Sequence, residues 1–141
     1  LIALSPLFEP ITIKDRKVVL SKLTPKAFKA GDVIIKEGEI GDAMYLIKEG
    51  TVEVSTQDPK KGKVIIAALK EGEFFGEIGL ATMKPRTATV TAVIDTELVV
   101  FSRAMIKEII EKYPQTKKVL EGVVKSRVAD IVKLRAGTVL T

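Results

Sequence analysis

The chain has 141 residues, 46% hydrophobic and 29% charged, with a formal net charge of +5. That length and balance suit one globular domain with a single core, and no apolar run approaches the roughly 20 residues that span a bilayer. The chain contains no Cys and no His, which sets aside zinc sites, thiol nucleophiles, Ser-His-Asp triads and Cys-ligated iron–sulfur clusters.

Leu4-Ser5-Pro6-Leu7-Phe8 is an apolar segment expected to pack on the outside of the β region, and nothing before it resembles a signal peptide. Thr12 to Leu23 reads as a short helix with Thr12 as N-cap and Asp15 three residues on. Ile13, Val18, Leu20 and Leu23 would face inward, and Lys14, Asp15, Arg16 and Lys17 outward. From Thr24 the hydrophobic period changes to two and turn residues recur at short intervals. Val33-Ile34-Ile35 lies between Gly31-Asp32 and Glu37-Gly38-Glu39. Met44–Ile47 and Val52–Val54 are expected to pair as a hairpin about Gly50, where glycine supplies a positive φ. Asp58 to Gly62 is a polar hairpin tip. Val64–Leu69, Glu71–Phe75, Thr87–Ile94 and Thr96–Phe101 complete the β region.

Eight short strands of this kind predict a mainly β fold, an eight-stranded jelly-roll β-barrel over 25–101. An N-terminal helical segment (1–24) and two C-terminal helices (102–136) flank it. Ser102 caps the first of these, which carries Met105, Ile106, Ile109 and Ile110 on one side. Tyr113-Pro114 interrupts the helix, because the residue before proline disfavours helical backbone and proline suits a helix start. The second runs from about Pro114 to Ala136 with Gly137 as its stop. Its apolar positions Leu120, Val123, Val124, Val128, Ile131 and Leu134 keep a 3–4 spacing. Gly122 within it costs about 1 kcal/mol relative to Ala and marks either a hinge or a close approach to the barrel.

Residues 103–141 hold nine Lys and Arg against four Asp and Glu, and so all of the excess positive charge. A basic helix of this sort is either a solvated face or a surface for nucleic acid or an acidic membrane. Tyr113 is the only aromatic residue among these charges, so nucleic acid is not the expected partner.

The most informative stretch is Phe75-Gly76-Glu77-Ile78-Gly79-Leu80-Ala81-Thr82-Met83-Lys84-Pro85-Arg86-Thr87-Ala88-Thr89-Val90. A glycine-bounded turn leads into a short helix-competent run, Glu77–Ala81, that begins with a carboxylate. A Pro-Arg then opens a strand rich in β-branched residues. Backbone N–H groups and Arg86 suit an anion, and Glu77 suits a sugar hydroxyl. Arg86 is the leading candidate, expected to line a pocket and not to serve as a core element. Gly76 and Gly79 allow close backbone approach.

The order FGEIGL, four residues, then PRTATV resembles the phosphate-binding cassette, here residues 75–90, of the cyclic nucleotide-binding domain family. Phe28-x-x-Gly31, Gly38-Glu39-x-Gly41-Asp42, Tyr45-x-Ile47 and Gly50-x-Val52-x-Val54 fit the same family's strand and turn pattern, as core residues and turn glycines without a ligand role. The resemblance extends from Leu4 to about Ala136. It implies a regulatory sensor with no enzymatic activity and no cofactor, binding cAMP and admitting cGMP. On that resemblance Gly76, Glu77, Ile78 and Gly79 face the sugar-phosphate, Glu77 taking the ribose 2′-OH. Glu77 can equally be a first-turn carboxylate that favours the helix dipole. Ala88 offers its N–H to the phosphate, and the Thr87 hydroxyl can reach the 2-amino group of a syn guanine. Gly79 stands where kinase regulatory domains often carry Ala.

The run Tyr113-Pro114-x-x-Lys117-Lys118-x-Leu120-Glu121-x-Val123…Arg127…Ile131 resembles the lid helix of cyclic-nucleotide-gated and hyperpolarisation-activated channels. This implies that Arg127 and Ile131 meet the purine, Arg127 by stacking; a solvated Arg127 is the alternative. The module is expected to be cytoplasmic and without a membrane segment. It would relay occupancy through its C-terminal helix to an effector domain of a longer parent, since the sequence begins at Leu1. A homodimer through that helix is a further expected partner. Two rival readings are a degenerate interaction or dimerisation module that no longer binds nucleotide, and DNA binding through the basic helix.

Overall fold

The computed structural model describes residues 10–41, 43–77 and 85–136, without the side chains of Leu20, Val124 and 127–136. Among these, eight antiparallel strands form two four-stranded sheets. The strands are β1 (Thr24–Phe28), β2 (Val33–Ile35), β3 (Ala43–Glu49), β4 (Thr51–Asp58), β5 (Gly62–Lys70), β6 (Phe74–Phe75), β7 (Thr89–Ala92) and β8 (Thr96–Ser102). The first sheet has the order β1-β8-β3-β6 and the second β2-β7-β4-β5. Two facing sheets with crossing connections are consistent with the expected jelly roll. The segment Leu4–Phe8 and the stop at Gly137 lie outside the described residues.

The inner strands β3 and β8 of the first sheet are buried on both faces, which explains their unbroken apolar runs, whereas the edge strand β1 is mostly exposed. Met44, Leu46, Phe74, Val99 and Phe101 point outward into a core shared with Ile11, Ile106, Ile109 and Leu120. Ile47, Phe75 and Leu98 point the other way and meet Ile35, Val52, Leu69 and Val90 of the second sheet. Tyr45 stacks on Phe75 there, with ring centroids 5.2 Å apart.

The hairpin expected between β3 and β4 does not form, because the two strands belong to different sheets. Gly50 (φ +117°) is the corner at which the chain crosses from one sheet to the other, and a Cβ there would lie 2.8 Å from Thr96 Cα. The hairpin that does form is β4–β5, from Thr51↔Lys70 to Asp58↔Gly62. At its tip Asp58 accepts from Lys60 N (2.8 Å) and Lys61 N (2.9 Å). The backbone N–H of Lys61, then that of Lys60, holds this exposed carboxyl below its ordinary range.

Helix α1 (Ile13–Ser21) starts after Thr12, whose Oγ1 accepts from Asp15 N at 3.3 Å. Its inward face differs from the apolar reading: Ile13 and Val18 are 72% and 50% exposed, while Ile11 is buried and Val19 and Leu23 pack on the core. The cause is a polar anchor. The Tyr113 hydroxyl donates to Asp15 Oδ2, and Lys112 Nζ lies 3.2 Å from the same oxygen. Asp15 therefore turns toward the body of the domain, and Ile11, Asp15 and Val19, spaced by four, share the inner stripe.

Helix α2 (Arg103–Lys112) is capped as expected by Ser102, whose Oγ accepts from Met105 N at 3.2 Å. It ends at Tyr113 (φ −128°, ψ 82°), which leaves the helical region as a residue before proline is pushed to do. Helix α3 (Pro114–Ala136) then runs 23 residues, as read from the sequence. Leu120 is buried in the helix-facing core, with Val119 and Val123 packed against it. Gly122, by contrast, is exposed, and a Cβ there would meet nothing within 4 Å. No close approach to the barrel explains it.

Candidate functional site

Arg86 lies just ahead of β7, where the chain leaves Pro85 and joins the second sheet. Its main chain extends that sheet: Arg86 N donates to Glu39 O at 2.7 Å, and Gly38 N donates to Arg86 O at 2.9 Å. Its side chain crosses to the first sheet. Nη1 donates to Gly76 O at 2.6 Å, and Nη2 to Ala43 O at 2.9 Å. The residue is 7% exposed, so Arg86 bridges two sheets and is not simply a lining of the pocket.

Two glycines make room for the guanidinium. A Cβ on Gly41 would lie 2.5 Å from Nη2 and 2.9 Å from Cζ. Gly76 has φ +89°, and a Cβ there would approach Ala43 O to 2.9 Å and Nη1 to 3.3 Å. Gly76 is thus required both for its backbone conformation and for space. Gly41, with no positive φ, is required for space alone.

Glu77 follows directly and is 1% exposed, among the most buried side chains of the described residues. Its backbone is helical, and the rest of the short helix expected over Glu77–Ala81 lies outside the described residues. On the other side of Arg86, Thr87 is half-buried and Ala88 buried, leading into Thr89 of β7.

Of the expected set, the structure brings Gly76 against Arg86 across the sheets, with Glu77 next to the one in the chain and Thr87 and Ala88 next to the other. Ile78 and Gly79 lie outside the described residues. Arg127 and Ile131 belong to α3, where the structure describes their backbone alone. Sequence reasoning missed Gly41, which it read as turn punctuation, and the carbonyl of Ala43. The only available signal was the Gly38-Glu39-x-Gly41 spacing, which does not reveal that its neighbour is an Arg far along the chain.

A guanidinium buried in a cradle of backbone, beside a glycine turn and a buried carboxylate, is suited to an anionic ligand that also carries a hydroxyl. The family whose description is "Cyclic nucleotide-binding domain" matches residues 25–113. The chain belongs to the cyclic nucleotide-binding domain family. Over 133 residues the domain is 38% identical to potassium/sodium hyperpolarization-activated cyclic nucleotide-gated channel 2 of Mus musculus. That match covers 94% of this chain and 15% of the channel, so the domain spans a small part of the curated relatives it matches. Its fold is similar to that of the Thermus thermophilus catabolite activator protein, with a TM-score of 0.83 and 27% identity over 96% of this chain and 63% of that one. It is also similar to cAMP-bound PfPKA-R, with a TM-score of 0.71 and 30% identity over 77% of this chain and 38% of that one. Among the described residues no helix is long and apolar enough to cross a membrane.

Proposed function

We propose that this domain binds cAMP through Arg86 and the turn that begins at Gly76, admits cGMP, and reports occupancy through α3 to a domain outside these 141 residues. The observation that carries the reading is the Arg86 guanidinium, held by Gly76 O and Ala43 O and cradled by Gly41 and Gly76. A cyclic phosphodiester bears one negative charge on two exocyclic oxygens. A planar guanidinium can meet both oxygens through two parallel N–H donors, the geometry that bidentate anion binding uses. Holding the group by backbone fixes it before the ligand arrives, so less ordering is required on binding.

The ligand class is supported by the family and by the cAMP named with PfPKA-R. In this reading the Glu77 carboxylate receives the ribose 2′-OH, the Ala88 N–H meets the phosphate, and the Thr87 hydroxyl allows a syn guanine. Ile78 and Gly79 continue the turn around the sugar-phosphate. The base is covered by α3, with Arg127 and Ile131 over the purine, and this closure biases whatever adjoins the module. No residue acts as a catalyst and no cofactor takes part.

Isothermal titration of the Arg86→Ala variant with cAMP tests the reading. Leaving a desolvated phosphate without its partner should cost about 2–5 kcal/mol, or roughly 30- to 4000-fold in affinity. A change under about threefold would remove Arg86 from the site. A wild-type chain that gives no binding heat with either nucleotide would instead favour the interaction-module reading.

A further inference from the structure

We infer that Glu37 is a positioning residue for Arg86, acting through the loop that separates β2 from β3. This rests on the reading that Arg86 holds the phosphate. Glu37 is half-buried two residues beyond β2, and it anchors in two directions. Its N–H donates to Thr89 Oγ1 at 3.0 Å, at the start of β7, three residues after Arg86. Its Oε1 accepts both the Thr56 hydroxyl (2.9 Å) and the Gln57 N–H (3.0 Å), on the next strand across the sheet. One residue thus ties the loop to β7 and β4 together.

The residues beyond Glu37 touch Arg86 at three points. Gly38 and Glu39 make the paired main-chain hydrogen bonds to Arg86. Gly41 then lies against the guanidinium, with space for nothing larger than hydrogen. The loop forms a wall that fixes both the backbone and the side chain of Arg86, and Glu37 is that wall's attachment to the sheet. Arg86 is preorganised only while the wall stays in place, since a binding group is held by the shell that supports it. Thr56 is itself buried, so the anchor is rigid at its far end.

Because Glu37 supports the phosphate contact and not the base, its loss should weaken all cyclic mononucleotides by one factor. Calorimetry with cAMP and with cGMP on the 141-residue chain tests this. Glu37→Ala should bind both about tenfold more weakly, the scale of one hydrogen bond to a charged group. Glu37→Gln keeps an Oε1 acceptor at the same reach and should restore binding to within about threefold of wild type. In an Arg86→Ala background, Glu37→Ala should add no further loss, because the group it positions is gone. Should Glu37→Ala fail to fold, Thr56→Val, which deletes one anchoring donor at constant shape, should weaken both nucleotides by about threefold.

Glu37→Ala or Thr56→Val binding as tightly as wild type would overturn the inference. So would a loss confined to one nucleotide, which would mark a base contact, or a full loss on top of Arg86→Ala, which would mark an independent role. An equal loss in Glu37→Gln and Glu37→Ala would overturn it too, by showing that the charge acts and not the anchor. An Arg86→Ala variant that binds normally would defeat the phosphate reading and this inference with it, whereas a strong Arg86 effect beside a silent Glu37 defeats the inference alone.

Discussion

Arg86 is held by hydrogen bonds that the fold itself supplies, and this changes what its removal does. The sequence suggested a pocket-lining side chain whose loss the fold would ignore. With Nη1 on Gly76 O and Nη2 on Ala43 O, Arg86→Ala should also lower fold stability by about 1–3 kcal/mol. A urea melt beside the titration separates the two effects, and binding should be measured where both forms are folded. Gly41→Ala approaches the same group from the opposite side. Its methyl would sit 2.5 Å from Nη2, at the end of a side chain that can move aside. Affinity for cAMP should therefore fall by about tenfold or more, equal to losing roughly one charged hydrogen bond, with a loss of fold stability no larger than that of Arg86→Ala, since the same hydrogen bonds are at stake. Normal binding by Gly41→Ala would mean that the observed guanidinium position is not the one that binds. Glu77→Gln should weaken cAMP by about 1–3 kcal/mol, and should bind 2′-deoxy-cAMP about as well as the parent does. If those two losses add in full, the carboxylate is not on the 2′-OH.

Among the elements, the helix bounds are legible because their signals are local. Ser102 caps α2, and Tyr113-Pro114 ends it and begins α3, all within a few residues of the features they control. The strands are legible from their turn residues and apolar alternation. Two features are not. A glycine between two strands reads the same whether they pair or part, so the change of sheet at Gly50 resembles a hairpin in sequence. The face of α1 is hidden because Asp15 finds its partner, Tyr113, only in the folded chain. The candidate site divides in the same way: Gly76, Glu77 and Arg86 lie within one short motif, whereas Gly41 and Ala43 become neighbours of Arg86 only through sheet topology. Gly122 offers a test at this scale. With open space at its Cβ, Gly122→Ala should raise stability by about 0.5–1 kcal/mol through helix propensity alone. A thermal melt reads this directly, and a fall in melting temperature would show that α3 needs glycine there for contacts or bending.

At the scale of the molecule, the helices rest on the outer face of the sheet whose inner face helps to fill the barrel. Motion of α3 therefore need not unfold the roll. Saturating cAMP should raise amide-exchange protection over residues 120–135, if α3 closes on the base. Truncation after Glu121 should weaken binding and leave the barrel folded, since Leu120 keeps its place in the core. Arg127→Ala should cost about 0.5–2 kcal/mol, the range of a cation on an aromatic face, well below the loss at Arg86. Exchange in α3 that is indifferent to cAMP would assign the output to another element.

The carbonyls that hold the Arg86 guanidinium lie on β3 (Ala43) and directly after β6 (Gly76) of the first sheet, and the Arg86 main chain pairs with the loop that follows β2 of the second. One side chain therefore links the two sheets here, and in the proposed reading a phosphate that engaged it would pull on a seam instead of resting on a wall. On that reading, lengthening either hydrogen bond would part the sheets there, and shortening it would draw them together. Ala43 stands directly before Met44, and Gly76 two residues after Phe74, and both Met44 and Phe74 form the floor under the helices. In the proposed reading, a change in the spacing of that seam would reach the ground on which α2 and α3 sit through one or two peptide units, without a long chain of side chains to carry it.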